Sequence, residues 1–249
     1  MRKHLDLGDR EITVVGTAHI SEESVQEVED TIEEVRPDLV GVELDESRFK
    51  SLKEKTGWSD MDIVEAIRDG KGPLLLINLV MSIYQRRMGL EEGVKPGTEL
   101  MAGVDKAEEL DIEYALLDRE ISETFSRMLS ELTFWEKIKL LASLFVAEDE
   151  MEVEDLKEDN MLNALVKELE QEFPTVKRVF LDERNEYMAE KLLKKDFDHA
   201  VIVVGAAHVE GLIECLEDEK KYVEKDIDTG LPWFKALKWG MPAFIIAGL

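Results

Sequence analysis

One six-residue phrase occurs twice in this chain and limits how it can fold. Residues 14–19 read Val-Val-Gly-Thr-Ala-His and residues 203–208 read Val-Val-Gly-Ala-Ala-His, five of six positions agreeing at an offset of 189. Each copy closes an apolar run, Ile12 to Val15 and Val201 to Val204, and opens a segment that reads as helix. A strand that ends in Gly-x-x-His and turns into a helix sets the imidazole at the carboxyl end of a sheet, the edge where open α/β sheets bind ligands. Two such units from opposite ends of one chain therefore predict His19 and His208 over a shared cleft. A single His after a strand is usually a packing or capping residue. With four His in the chain, two in matching contexts favour a site, whereas His4 and His199 have no such setting, and His199 is read as preceding its strand.

The first repeat belongs to a strand–helix–strand unit. Ser21 is a candidate N-cap, with Glu22 and Glu23 in the first turn where they complement the helix dipole. Val25, Val28, Ile32 and Val35 recur at helical spacing until Pro37. A second strand, Leu39 to Leu44, delivers Glu43 and Asp45 to the same sheet edge as His19. From about residue 50 to 175 the chain reads as helices, including the apolar stretches 74–84 and 134–146, a loop over 91–97 and a short strand near Ala115 to Asp118 before a helix from Arg119. Eight acidic residues among 148–159 lack calcium-loop spacing and read as a solvated segment. Pro174 and the run Val176 to Leu181 lead to Glu183-Arg184-Asn185 and a helix through Met188 and Leu192, and the strand Ala200 to Val204 closes the pattern. The expected fold is α/β, a central mixed, largely parallel sheet flanked by helices, with a helical insertion over about 50–175 inside a domain of residues 1–230.

Composition removes several function classes. A formal net charge of −26 opposes binding to phosphate backbones, so no nucleic-acid partner is expected. Cys215 is the only cysteine, which rules out an intramolecular disulfide and a cysteine-rich zinc site. Residues 1–10 are charged and lack the apolar core of a signal peptide. Residues 231–249 differ: Trp233, Lys235, Lys238 and Trp239 resemble an interfacial belt, and an apolar run follows from Met241. Two readings stand, a helix docked on the core or the start of a membrane anchor continuing beyond Leu249. The second is preferred, giving a soluble domain on a membrane-attached protein, with the cytoplasmic side favoured by the lysines. The apolar helical middle offers surface for a homodimer.

His19, Glu43 and His208 form a two-His, one-carboxylate inventory that can hold a divalent metal with open positions for water and substrate. Asp45 and Glu183 are general-base candidates beside it. A metal-free alternative has one His activate water while Glu43 orients it.

Gly16-Thr-Ala-His19, Gly41-Val-Glu43-Leu-Asp45-x-x-Arg48, Glu183-Arg184-Asn185-x-x-Met188-Ala189 and Gly205-Ala-Ala-His208, in that order, resemble the TraB/PrgY family of pheromone-shutdown proteins and archaeal relatives. They also resemble the wider group of TIKI proteases, ChaN-like proteins and erythromycin esterases. The resemblance implies a ChaN/EreA-like fold and, from its TIKI branch, a metal-dependent peptidase using manganese or cobalt, with zinc as a third option. His19, Glu43 and His208 match the catalytic and metal positions. Arg48, Arg119, Arg184 and Asn185 match polar positions suited to binding a peptide or small-molecule substrate. Capture of a peptide without cleavage, with the arginines clamping a carboxylate, is the competing expectation.

Overall fold

The apolar start of each copy of the repeated phrase forms a strand, and the two strands lie side by side. The computed structural model describes residues 1–17, 22–54, 97–137, 171, 173–219 and 222–223. Strand β2 (Glu11–Thr17) pairs in parallel with β5 (His199–Gly205), in the register Val14↔Ile202, Val15↔Val203 and Gly16↔Val204. The two copies are thus staggered by one residue, because Gly16 would oppose Gly205 if they were aligned. Side chains alternate between faces along a strand, so a one-residue stagger puts equivalent positions on opposite sides of the sheet. Val14 packs in one core layer, whereas its counterpart Val203 packs in the other.

The sheet has the order β1-β2-β5-β3-β4, with β1 (Arg2–Asp6) antiparallel to β2, and β3 (Leu39–Val42) and β4 (Glu113–Leu116) parallel to β5. This is the mixed, mostly parallel α/β sheet that the pattern predicted. Helices α1 (Glu22–Val35) and α3 (Thr98–Glu109) cover one face, placing Val28, Ile32, Leu100 and Val104 on Val15, Val40, Val42, Val201 and Val203. Each such side chain taken out of water contributes about 1.5–3 kcal/mol. In chain order α2 (Glu46–Lys53) falls between these helices, packing against α3. The opposite face carries α6 (Glu183–Leu193) and α7 (Val209–Glu217), whose Met188, Leu192, Leu212 and Leu216 pack on Ile12, Val14, Ile202 and Val204. The helix following β2 lies on one face and the helix following β5 on the other, so the chain diverges at their carboxyl ends. Such a divergence opens a crevice in α/β sheets.

A smaller core joins α4 (Ile121–Glu131) to the segment preceding α6, through Phe125, Met128, Leu132 and Val179. That segment is helical. Helix α5 (Pro174–Lys177) runs through a wide π-turn at Arg178–Asp182 directly into α6. Three other local expectations shift. His199 is the first residue of β5 rather than preceding it, exposed and 3.1 Å from Glu11. The strand expected at Ala115 to Asp118 begins two residues earlier, at Glu113, and the helix after it starts at Ile121. The charged start of the chain forms β1, with Leu5 as its one buried residue.

His19, Ser21, the stretch 74–84, the loop 91–96, the acidic run and residues 231–249 lie outside the described residues. Of the apolar stretch at 134–146, Phe134 and Trp135 are described and exposed, at 68% and 76%. Among the described residues no helix is long and apolar enough to cross a membrane.

Candidate functional site

The site begins with a carboxylate at the end of β3. Glu43 follows Val42, and its N–H still donates to Val203 O at 3.0 Å, so the ladder with β5 fixes its backbone. Its Oε2 accepts the Gly205 N–H at 2.7 Å, and its Oε1 pairs with Arg184 Nη2. Arg184 lies in the first turn of α6 and binds Asp118, just past β4, bidentately: Nε donates to Oδ1 at 3.0 Å and Nη2 to Oδ2 at 2.7 Å. Its Nη1 lies 3.1 Å from His208 Nε2 and donates to Phe180 O at 3.2 Å. One guanidinium thus bridges the ends of β3 and β4 and the start of α7, in the fork geometry that suits paired carboxylates.

These contacts determine the state of His208, which is 4% exposed. A guanidinium can only donate, so the contact with Arg184 is made with the lone pair on Nε2, whereas Glu43 Oε1, 3.3 Å from the same nitrogen, pulls toward a proton there. With the lone pair on Nε2, Nδ1 carries the proton and donates to Asn185 Oδ1 at 2.7 Å. Burial pushes the imidazole below its ordinary value, against the pull of Glu43, which agrees with a neutral ring at neutral pH. Burial by itself would raise the Glu43 carboxyl. The charge that the His208 ring takes up on acidification, the guanidinium beside it and the Gly205 N–H outweigh burial and hold it at about 2, well below the usual carboxylate range. Burial likewise opposes the charge on Arg184, but Asp118 and Glu43 overcome it and raise the guanidinium further.

Close approach accounts for two glycines here. A Cβ on Gly16 would lie 2.5 Å from Val209 Cγ2, so the bare backbone of β2 lets the residue after His208 settle on the sheet. A Cβ on Gly211 would lie 2.3 Å from Asn185 Nδ2. Gly211→Ala is therefore expected to push Asn185 off His208, at a stability cost of about 1–3 kcal/mol. The ¹⁵N shifts of the His208 ring check it: the wild type should show one Nδ1–H tautomer and the variant a mixture.

Glu183, next to Arg184, is held apart from this group. Its Oε2 accepts Arg127 Nε at 2.9 Å and Arg119 Nη1 at 3.4 Å, and its Oε1 accepts Arg178 Nη1 at 2.6 Å. Arg119 also donates to Thr124 Oγ1, Val179 O and the Tyr222 hydroxyl, while the Tyr222 ring stacks near Arg119 and Arg127. Glu183 thus joins α4, the π-turn and α6.

Asp45 caps α2, with Oδ1 accepting the N–H groups of Ser47 at 2.9 Å and Arg48 at 3.0 Å. Its Oδ2 is buried without a hydrogen-bond partner among the described residues, and burial raises the carboxyl. Because ionisation is disfavoured there, Asp45→Asn is expected to match or exceed wild-type stability at pH 7. Asp45→Ala should lose about 1 kcal/mol with the cap. The folded state holds this proton more tightly than the unfolded chain, so the Asn advantage shrinks as pH falls toward the carboxylate range. Urea denaturation at two pH values measures both effects. Arg48, on α2, adds a favourable charge at Glu43 without a direct ion pair between them among the described residues.

The structure therefore brings together Glu43, Arg184, Asn185 and His208, and sets Glu183 and Arg119 in a neighbouring ionic cluster. Asp118, read in the sequence as the end of a short strand before Arg119, proves to be the bidentate partner of Arg184. Arg127, Arg178 and Tyr222 had no motif to mark them. Glu43 Oε1 and His208 Nε2 lie 3.3 Å apart, a separation that one ion could bridge. Both atoms, however, face the Arg184 guanidinium, a permanent cation, and no group of three ligating side chains occurs among the described residues. As arranged, Glu43 and His208 hold a guanidinium between them, and His19, the third ligand expected, lies outside the described residues.

The TraB/PrgY/gumN family model matches residues 3–225. An uncharacterized protein of Methanocaldococcus jannaschii is 36% identical over 220 residues, covering 83% of this chain and 53% of the relative. TraB domain-containing proteins of Mus musculus and Homo sapiens are 32% and 31% identical over 189 residues, covering 71% of this chain and 50% of each relative. The chain thus spans about half the length of these relatives. With a family match over residues 3–225 and relatives more than 30% identical across most of its length, this chain belongs to the TraB/PrgY/gumN family.

Proposed function

We propose that this chain is a hydrolase of peptides or small carbonyl compounds, with His208 as the base. The observation that carries this reading is a buried neutral imidazole at the sheet's carboxyl edge, locked by Asn185 at Nδ1 and facing Glu43 and Arg184 through Nε2. A substrate carbonyl oxygen draws Arg184 Nη1 away from Nε2 and is polarised by it. The freed lone pair takes a proton from water as the water oxygen attacks the carbonyl carbon. Glu43, ionised beside the ring, stabilises the imidazolium, which then passes its proton to the leaving amine or alcohol.

The metal-dependent form expected from the family resemblance, with manganese, cobalt or zinc on His19, Glu43 and His208, requires Arg184 to withdraw, and no step is assigned to it. Capture without cleavage is the rival reading. Here the donors of Arg119, and Nε and Nη2 of Arg184, are engaged within the protein, which disfavours this pair as a carboxylate clamp. We also place the Trp and Lys segment at 233–239 against a membrane surface, to be tested by flotation with lipid vesicles.

Mass spectrometry of a peptide and ester library incubated with the protein, alone and with Mn²⁺, Co²⁺ or Zn²⁺, tests the central reading. Cleavage is expected, falling about 10²–10⁴-fold in His208→Ala. Retained but intact substrate under every condition, or full activity in His208→Ala, would overturn it.

A further inference from the structure

Strand β1 ends the described sheet, and its ladder fixes which backbone groups point away from it. Gly16 N–H donates to Met1 O at 2.7 Å and Met1 N to Gly16 O at 3.0 Å, and Leu7 N–H donates to Arg10 O at 2.9 Å. Between these two pairs the register runs from Arg2↔Val15 to Asp6↔Glu11. Bonded and non-bonded pairs alternate in an antiparallel ladder, so Lys3 and Leu5 bond inward to β2. Arg2, His4 and Asp6 direct their N–H and C=O groups outward, where they meet no partner strand among the described residues.

The side chains add a second observation. Leu5 is buried under α6 and α7, and Lys3 lies 3.2 Å from Glu210 of α7, which places the odd residues on that face. Arg2 lies 2.7 Å from Glu34 of α1, which places the even residues on the other. The even row reads Arg2, His4, Asp6. Turned end for end about His4, the row is its own complement, with Arg2 opposite Asp6 and His4 opposite His4. The residues that match in charge are also those whose backbone groups face outward.

We infer that β1 is an interface between two copies of this chain, pairing antiparallel about a twofold axis at His4 to make one continuous sheet. Self-complementary order selects a second copy over an unrelated strand, since an isologous contact requires each patch to fit itself. The net charge of −26 makes most of the surface self-repelling, whereas β1 gathers Arg2, Lys3 and His4. The twofold axis sends the two carboxyl edges to opposite ends of the sheet, so each site stays within its own copy. The inference is independent of the proposed hydrolysis.

Sedimentation velocity on the full chain, over a concentration series near physiological salt, tests it. A reversible dimer is expected. His4→Pro removes the central outward N–H without touching the β1–β2 ladder and should weaken the dimer at least about tenfold. Arg2→Asp and Asp6→Arg each oppose like charges twice and should weaken it, while the double variant Arg2→Asp/Asp6→Arg should recover wild-type association. That recovery decides the matter even if His4→Pro does not fold, because the lost Arg2–Glu34 pair is common to Arg2→Asp and the double variant and so cannot explain the difference between them. A monomer at every concentration, a dimer indifferent to His4→Pro, or a double variant no better than the singles would overturn the inference.

Discussion

Replacing Arg184 with Met is expected to destabilise the fold by about 3–5 kcal/mol, the size associated with breaking a buried ion pair from one side. The effect comes from what is left behind. Glu43 and Asp118 have side chains only 10% and 2% exposed, and both would lose the cation that justifies their burial. Urea denaturation at pH 7 measures the loss. The folded-state carboxyl of Glu43 is held at about 2 against an ordinary 4.5, so its contribution is present above about 4.5 and is lost as pH falls through the folded value. Removing Arg184 weakens the cause of that depression, so the gap between wild type and variant should narrow on acidification from 4.5 toward 2. Arg184→Lys should recover only part of the loss, because an ammonium cannot fork across Asp118 while reaching Glu43.

A comparable loss, again about 3–5 kcal/mol, is expected for Glu183→Leu. Arg119 and Arg127, with side chains 0% and 2% exposed, share this carboxylate with Arg178. Without it three guanidinium groups converge on an apolar side chain, and α4 loses its polar link to α6. Thermal unfolding measures the effect. Turnover measured well below the lowered melting temperature separates this scaffold role from catalysis. A scaffold residue gives near-normal activity per folded molecule, whereas a base does not.

The alternating first unit was legible because its chemistry is local. Apolar residues at helical spacing ended by Pro37, and β-branched runs on either side, were enough to place β2, α1 and β3. Strand β1 escaped because only Leu5 faces the core, and an edge strand held by backbone bonds leaves little trace in a hydropathy pattern. The helical run before Glu183 escaped for a different reason. The π-turn breaks the 3.6-residue period, so Val176, Val179 and Phe180 do not fall into register with Met188 and Leu192. Within the site, Glu43 and His208 announced themselves through motifs at strand ends. Asp118 did not, because its partner Arg184 is 66 residues away and only the sheet order brings β4 and α6 together. The buried charge cluster at Glu183 was invisible for the same reason.

The π-turn at Arg178–Asp182 has a bearing on how this chain can vary. A π-turn accommodates one residue more than the α-helical path it interrupts, and it commonly marks an insertion absorbed within a helix. Here it brings residues five apart into contact, Arg178 to Glu183 and Lys177 to Asp182, a spacing that an ordinary helix does not bring face to face. Losing any one residue of the turn would restore a regular helix yet swing everything upstream by about 100° relative to Glu183-Arg184-Asn185. The upstream half, packed on α4, and the downstream half, packed on the sheet, could not then both keep their seats. In this chain a change of length in the stretch is therefore expected to cost more than a substitution there.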